Sequence, residues 1–234
     1  MKHLLIIIFV TFSNIIVLSQ QQESSNILLS YSQNQEIYYY EYQPKLKIKA
    51  TLTQQSDVKN EYPEELIQSV FSARNQEWID YNTLGGAEKS DKKSEKHFNH
   101  IKKMDKDKNY FELHHKVTFN LDGVKTSIIK FFLIQENKTP ISGAMLMQKI
   151  NNRWYVTSRS DMSMFVIMIM RLKSDALEGI IFGDSDNKEI IDFYHKVSDK
   201  NGVLNLSSFE KEFFDLYLPE NKEKLNLFID PKTW

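Results

Sequence analysis

Cysteine is absent from all 234 residues. Its absence excludes disulfide staples, thiolate nucleophiles and sulfur-rich metal sites. A chain of this length can bury a sizeable core without such staples. Glycine is scarce at seven residues and proline at five. Glycine-rich phosphate loops are therefore excluded. An excess of one charge is missing too: 30 basic against 31 acidic side chains leave a net charge of −1. A groove that tracks phosphates needs a basic excess, so no nucleic-acid partner is expected. The lysine-rich stretch from Lys89 to Lys108 is offset by Glu88, Asp91, Glu95, Asp105 and Asp107, and reads as a solvated face. No unbroken apolar run reaches the roughly 20 residues that span a bilayer.

What is present begins with a leader-like start. Lys2 and His3 supply a short basic stretch, Leu4 to Val10 an apolar one, and Ile15 to Leu18 a second apolar patch before the chain turns polar. These are the parts of a secretory signal peptide over residues 1–19, cut before Gln20. Thr11, Ser13 and Asn14 interrupt the apolar part; an uncleaved leader would instead tether the chain to a membrane. A secreted or periplasmic location is expected, with a mature chain of about 215 of the 234 residues.

Residues 20–35 are rich in Gln, Ser and Asn and read as a mobile lead-in. From Glu36 the runs EIYYYEY and KLKIKATLT have strand propensity, broken at Pro44. In the second run Leu46, Ile48, Ala50 and Leu52 alternate with polar residues, which predicts one buried face. A helix opens at Pro63, carries Leu66, Ile67, Val70 and Phe71 at helical spacing, kinks near Arg74 and ends by Gly85-Gly86. A shorter helix carries Phe98, Ile101 and Met104. In NYFELHHKVTFNL, alternation puts Phe111, Leu113, Val117, Phe119 and Leu121 on one face. Asp122-Gly123 and Asn151-Asn152 are hairpin turn signals within a four-strand meander. Helices then follow over 162–172, 175–182, 188–197 and 207–218. The fold class is α+β: a curved antiparallel meander packed on N-terminal helices, with additional C-terminal helices. An α+β roll would occupy 36–160 and a helical extension 161–234, packed on the same domain.

Helices followed by a meander ending in KINNRWYVTS resemble the nuclear transport factor 2-like (cystatin-like) roll over residues 60–160. Members of that superfamily end in a strand, a polar turn and a strand with an aromatic pair, here Gln148 to Ile150, Asn151-Asn152 and Trp154-Tyr155. The resemblance implies a bent sheet wrapped around a helix, leaving a cone-shaped pocket. It implies no single activity, because the superfamily contains isomerases, dehydratases, cyclases and binding modules. Lining residues would be Arg74, Trp78, Asp80, Tyr81, Tyr110 and His115. Aromatic walls with a few polar groups suit a small ligand; simple core filling is the alternative for Trp78 and Tyr81.

Two further sets bear on metals. His97 and His100 lie three apart on a helix, and Glu112 and His114 share a strand face, which would suit zinc. Surface or core histidines are the plainer reading. DKNGVLNLSSFE resembles a calcium-binding loop, with Asp199, Asn201, Ser207 and Glu210 at ligand positions. Val203 and Leu204 occupy the places of an oxygen ligand and a glycine. A capping box of Ser207 and Glu210 explains the same residues more simply. Six of the eight methionines fall between Met145 and Met170, where adaptable core packing is preferred to copper(I) binding. No cofactor or metal is implied.

The expected function is therefore a non-catalytic binding module for a small apolar ligand or another exported protein. An isomerase- or hydrolase-type enzyme with a histidine or aspartate base is the alternative. A surface-assembly protein pairing through the edge of Ile37 to Tyr42 is a third.

Overall fold

A computed structural model describes residues 23–29, 33–86, 92–217 and 226–233. The leader over 1–19 lies outside the described residues, as do residues 20–22 and 30–32 of the lead-in. Within that lead-in, however, Glu23–Leu29 forms a strand, β1, antiparallel to β2 (Gln33–Ile48). The mobile lead-in is corrected at that point: backbone pairing with β2 orders a segment whose composition reads as a linker.

Strand β2 runs through the cis Gln43–Pro44 bond as one element, with a bulge between Glu41 and Leu46 where it pairs with β3 (Tyr110–Leu121). The bulge breaks the expected alternation. Leu46 is 39% exposed while Ala50, beyond the strand, is buried.

Between these strands lie α1 (Pro63–Ser72), α2 (Gln76–Asn82) and α3 (Lys92–Lys103). Pro63 opens α1, where its missing N–H costs nothing. The Glu65 carboxylate accepts from Glu61 N at 2.8 Å, which closes that end. The expected kink is a full break, because Asn75 starts a second helix by accepting from Trp78 N at 2.9 Å.

The meander continues through β4 (Val124–Ile134), β5 (Ile141–Ile150) and β6 (Arg153–Val156). Asp122 and Gly123 have φ of 53° and 77°, and Asn151 and Asn152 have 49° and 64°. Both hairpins therefore use the left-handed pair that a type I′ turn requires. Beyond them come α4 (Ser163–Arg171), α5 (Ser174–Phe182), α6 (Lys188–Val197), the two-residue β7 (Leu204–Asn205) and α7 (Leu206–Tyr217). The sheet order is β6-β5-β4-β3-β2-β1-β7, antiparallel throughout except for β1 with β7.

Both faces of this sheet are covered. Leu66 and Ile67 of α1 pack with Tyr42, Leu113, Ile129, Met147 and Trp154 on one face. On the other, Phe165, Leu177, Phe193 and Phe209 of the last four helices pack with Tyr39, Val117, Phe119, Ile128 and Leu146. The result is an α+β molecule of three layers, helix, sheet and helix.

The division of β3 corrects another expectation. Leu113 pairs with Phe131 but His115 pairs with Lys130, so His114 is an extra residue in the strand. One extra residue reverses the in–out alternation. Leu113 therefore packs toward α1, while Val117, Phe119 and Leu121 pack toward the C-terminal helices.

Candidate functional site

The six residues expected to line one pocket are dispersed. Trp78 is buried and donates from Nε1 to Ser69 Oγ at 2.9 Å. Asn82 Nδ2 donates to the same hydroxyl at 2.7 Å, and Asn60 Nδ2 donates to Asn82 Oδ1 at 2.9 Å. This chain of buried bonds fastens α1, α2 and the β6 edge together, since Asn60 O accepts from Trp154 N at 2.9 Å. Tyr81 is exposed and stacks on the Arg153 guanidinium at 3.8 Å. Asp80 accepts from Gln76 at 2.8 Å on an exposed surface. Tyr110 lies under the Lys47 ammonium at 4.8 Å. His115 is on the opposite face of the sheet, among the C-terminal helices. Arg74 borders an open cleft.

The described metal candidates form no metal-holding group. His100 is exposed on α3, and the side chain of His97 lies outside what is described. His114 is half-buried and bonds Glu112 at 3.2 Å. Among the described residues, no group of three or more His, Asp or Glu side chains is placed to hold a metal ion.

In the calcium-like loop, Asp199 Oδ1 is already used by its own turn. It accepts from Asn201 N at 2.8 Å and Val203 N at 3.0 Å. Those bonds hold the Asp199 carboxyl below its ordinary pKa. The cap of the last helix is Asn205, which accepts from Ser208 N at 3.1 Å, rather than the expected box of Ser207 and Glu210.

Two arrangements remain. The first is a buried polar cluster between the sheet and the α4–α5 corner. Lys130, 1% exposed, donates to the Leu172 carbonyl at the end of α4, where the helix dipole favours a cation. His115, 0% exposed, shares a 3.0 Å hydrogen bond between Nδ1 and Ser174 Oγ. The Tyr39 hydroxyl donates to the Ser174 carbonyl at 3.3 Å, and Arg171 Nη1 donates to Ser142 Oγ at 3.1 Å. Burial, reinforced by the charges of Lys45 and Arg171, lowers Lys130 to about 7. Burial and the neighbouring Lys130 charge hold His115 well below the ordinary histidine range. An amine that gives up its proton near pH 7, close to an imidazole held neutral, is basic equipment. Yet with exposures of 0% and 1% neither group can meet a substrate. Their visible work is to tie β3 and β4 to the α4–α5 corner.

Sequence reasoning missed Lys130 and Ser174 in this cluster. A lysine inside the apolar run IIKFFLI was the available signal for the first. Ser174 reads as a helix cap, but Lys173 takes the cap position and the Ser174 hydroxyl turns to His115 instead.

The second arrangement is an open cleft of ≈ 400 Å³ on the other face of the molecule. The α1–α2 corner forms one wall with Arg74, Asn75 and Gln76, and α3 forms the other with Glu95, Phe98, Asn99 and Lys102. The spacing of the α3 residues is what places them on one side of a helix. Arg74 Nη2 donates to Leu52 O at 3.4 Å, while its Nε is buried without a hydrogen-bond partner.

Comparison with known protein families, with curated proteins and with solved structures finds no match. Among the described residues no helix is long and apolar enough to cross a membrane.

Proposed function

We propose that the protein is an exported, non-catalytic binding module whose ligand sits in the cleft between the α1–α2 corner and α3. One observation carries this reading. The side chains whose ionisation burial displaces, His115, Lys130, His114, Tyr39 and Tyr42 among them, are all absent from the lining of the open cleft. An enzyme needs such a group inside the cavity where its substrate sits. A binder needs the cavity alone. The isomerase- or hydrolase-type alternative would require His115 or Lys130 to reach solvent through a packed layer.

The lining also revises the expected ligand. Amides, a guanidinium, an ammonium and a carboxylate around Phe98 favour a polar molecule over an apolar one. Tyr38 and Tyr39 of the suggested assembly edge are paired on both sides, by β1 and β3, which weighs against the assembly alternative. The order of three helices before the meander supports the nuclear transport factor 2-like resemblance as analogy of fold, which says nothing of the ligand.

Screening small polar compounds by amide NMR tests the reading. Side-chain amide signals of Gln76 and Asn99 should shift for at least one compound class, and no shift for any class would sink it. Mass measurement of the protein from its native compartment tests export. A chain starting at Gln20 supports a cleaved leader, and a chain retaining residues 1–19 supports tethering.

A further inference from the structure

The α3 wall of the cleft carries opposite charges at its two ends. Glu95 and Lys102 are both exposed and both line the cleft, with Phe98 and Asn99 between them. Seven residues of helix at 1.5 Å each separate the two charges by about 10 Å. That span is about three residues of extended peptide, at roughly 3.3–3.6 Å each. On the facing wall, Asn75 Oδ1 accepts from Trp78 N and Gln76 Nε2 donates to Asp80 Oδ1. Those bonds leave the amide nitrogen of Asn75 and the amide oxygen of Gln76 for a ligand. One donor and one acceptor are what a peptide unit requires. Arg74 adds a guanidinium to the same wall.

We infer that the cleft takes a short peptide with free termini, about three residues long, held by Glu95 at its ammonium end and by Lys102 at its carboxylate end. This rests on the binding-module reading and deepens it. Phe98, 7% exposed, gives the middle of the peptide an apolar floor. Specificity then comes from length and from the two end charges rather than from side-chain pockets. Charge-assisted bonds at both ends discriminate against capped peptides, because a capped end leaves a protein charge without its counterpart.

Calorimetric titration of the intact chain with trialanine, its C-terminal amide, its N-acetyl form, alanine and hexaalanine tests the inference. Trialanine should bind best, and each capped form should bind about tenfold or more weakly, as the loss of a charged hydrogen bond implies. Lys102→Ala should erase the preference for trialanine over its amide. Glu95→Gln should erase the preference over the N-acetyl form. Both positions are exposed on α3, so circular dichroism and the melting temperature should be unchanged. Capped peptides binding as tightly as trialanine would overturn the inference, as would hexaalanine binding equally well. If uncharged polar compounds shift the cleft amides while trialanine does not, the peptide is wrong and the binding module stands. If nothing shifts them, both fall.

Discussion

Lys130 brings a titratable amine into a layer of apolar side chains, and its effect on stability has a definite sign. In the unfolded chain the amine titrates near 10.5, and in the folded chain near 7. Between those values the unfolded state binds more protons than the folded state, so stability rises with pH across that window. The slope from this one group is at most ~1.4 kcal/mol per pH unit. His115 acts in the same sense at lower pH, because its depressed pKa makes stability fall as pH drops below about 6.5. Urea unfolding at pH 7, 8 and 9 should therefore show increasing stability, and Lys130→Met should remove most of that increase. Equal slopes in the two proteins would mean that the ammonium is not suppressed. The neutral amine keeps N–H groups for the Leu172 carbonyl, so its hydrogen bond survives deprotonation. The presence of such a lysine was legible as an oddity in IIKFFLI. Its partner was not, because Leu172 O is 42 residues distant and contributes only backbone.

At the scale of elements, His114 matters for its place in the count more than for its imidazole. Its ring packs on Phe132 and bonds Glu112, contacts worth little on a half-buried surface. His114→Ala should therefore cost ~1 kcal/mol or less. Deleting His114 should be far worse. The deletion would turn Val117, Phe119 and Leu121 away from the helices they pack against, or force the strand out of register. Chemical denaturation of both variants checks this: a cooperative transition should persist in the substitution and be lost in the deletion. Turns, helices and strand limits were largely legible: β5 spans Ile141–Ile150 and α6 Lys188–Val197, as periodicity predicts. The bulges were not. Alternation in the sequence continues unbroken past His114 because Phe111 and Leu113 before it and Val117 and Phe119 after it all fall on odd positions, and only pairing with β4 reveals which face each one takes. The bulge also turns His115 toward Ser174 of α5, away from the α1–α2 layer that buries Trp78.

For the whole molecule, one sheet supplies residues to the large hydrophobic clusters on both its faces, so the two helical layers share it. Unfolding should consequently be a single transition. Trp78 and Trp154 are buried on the α1 side and report that layer by fluorescence, whereas most described helix lies in α4–α7. Fluorescence and far-ultraviolet dichroism should melt at the same temperature; dichroism melting first would mean that the C-terminal helices come off as a separate unit. The sheet's ends are closed by its own chain. Thr83 bridges to Val156 at the β6 edge, and Ser198 bridges to Leu204 at the β7 edge. The reversal at His114 has a consequence for how such a chain varies over generations. Leu113 and Val117 are four residues apart, yet they belong to different hydrophobic clusters. A change in one does not oblige a compensating change in the other. The layer that bears the cleft can thus drift while the opposite layer, with its buried amine, is inherited intact.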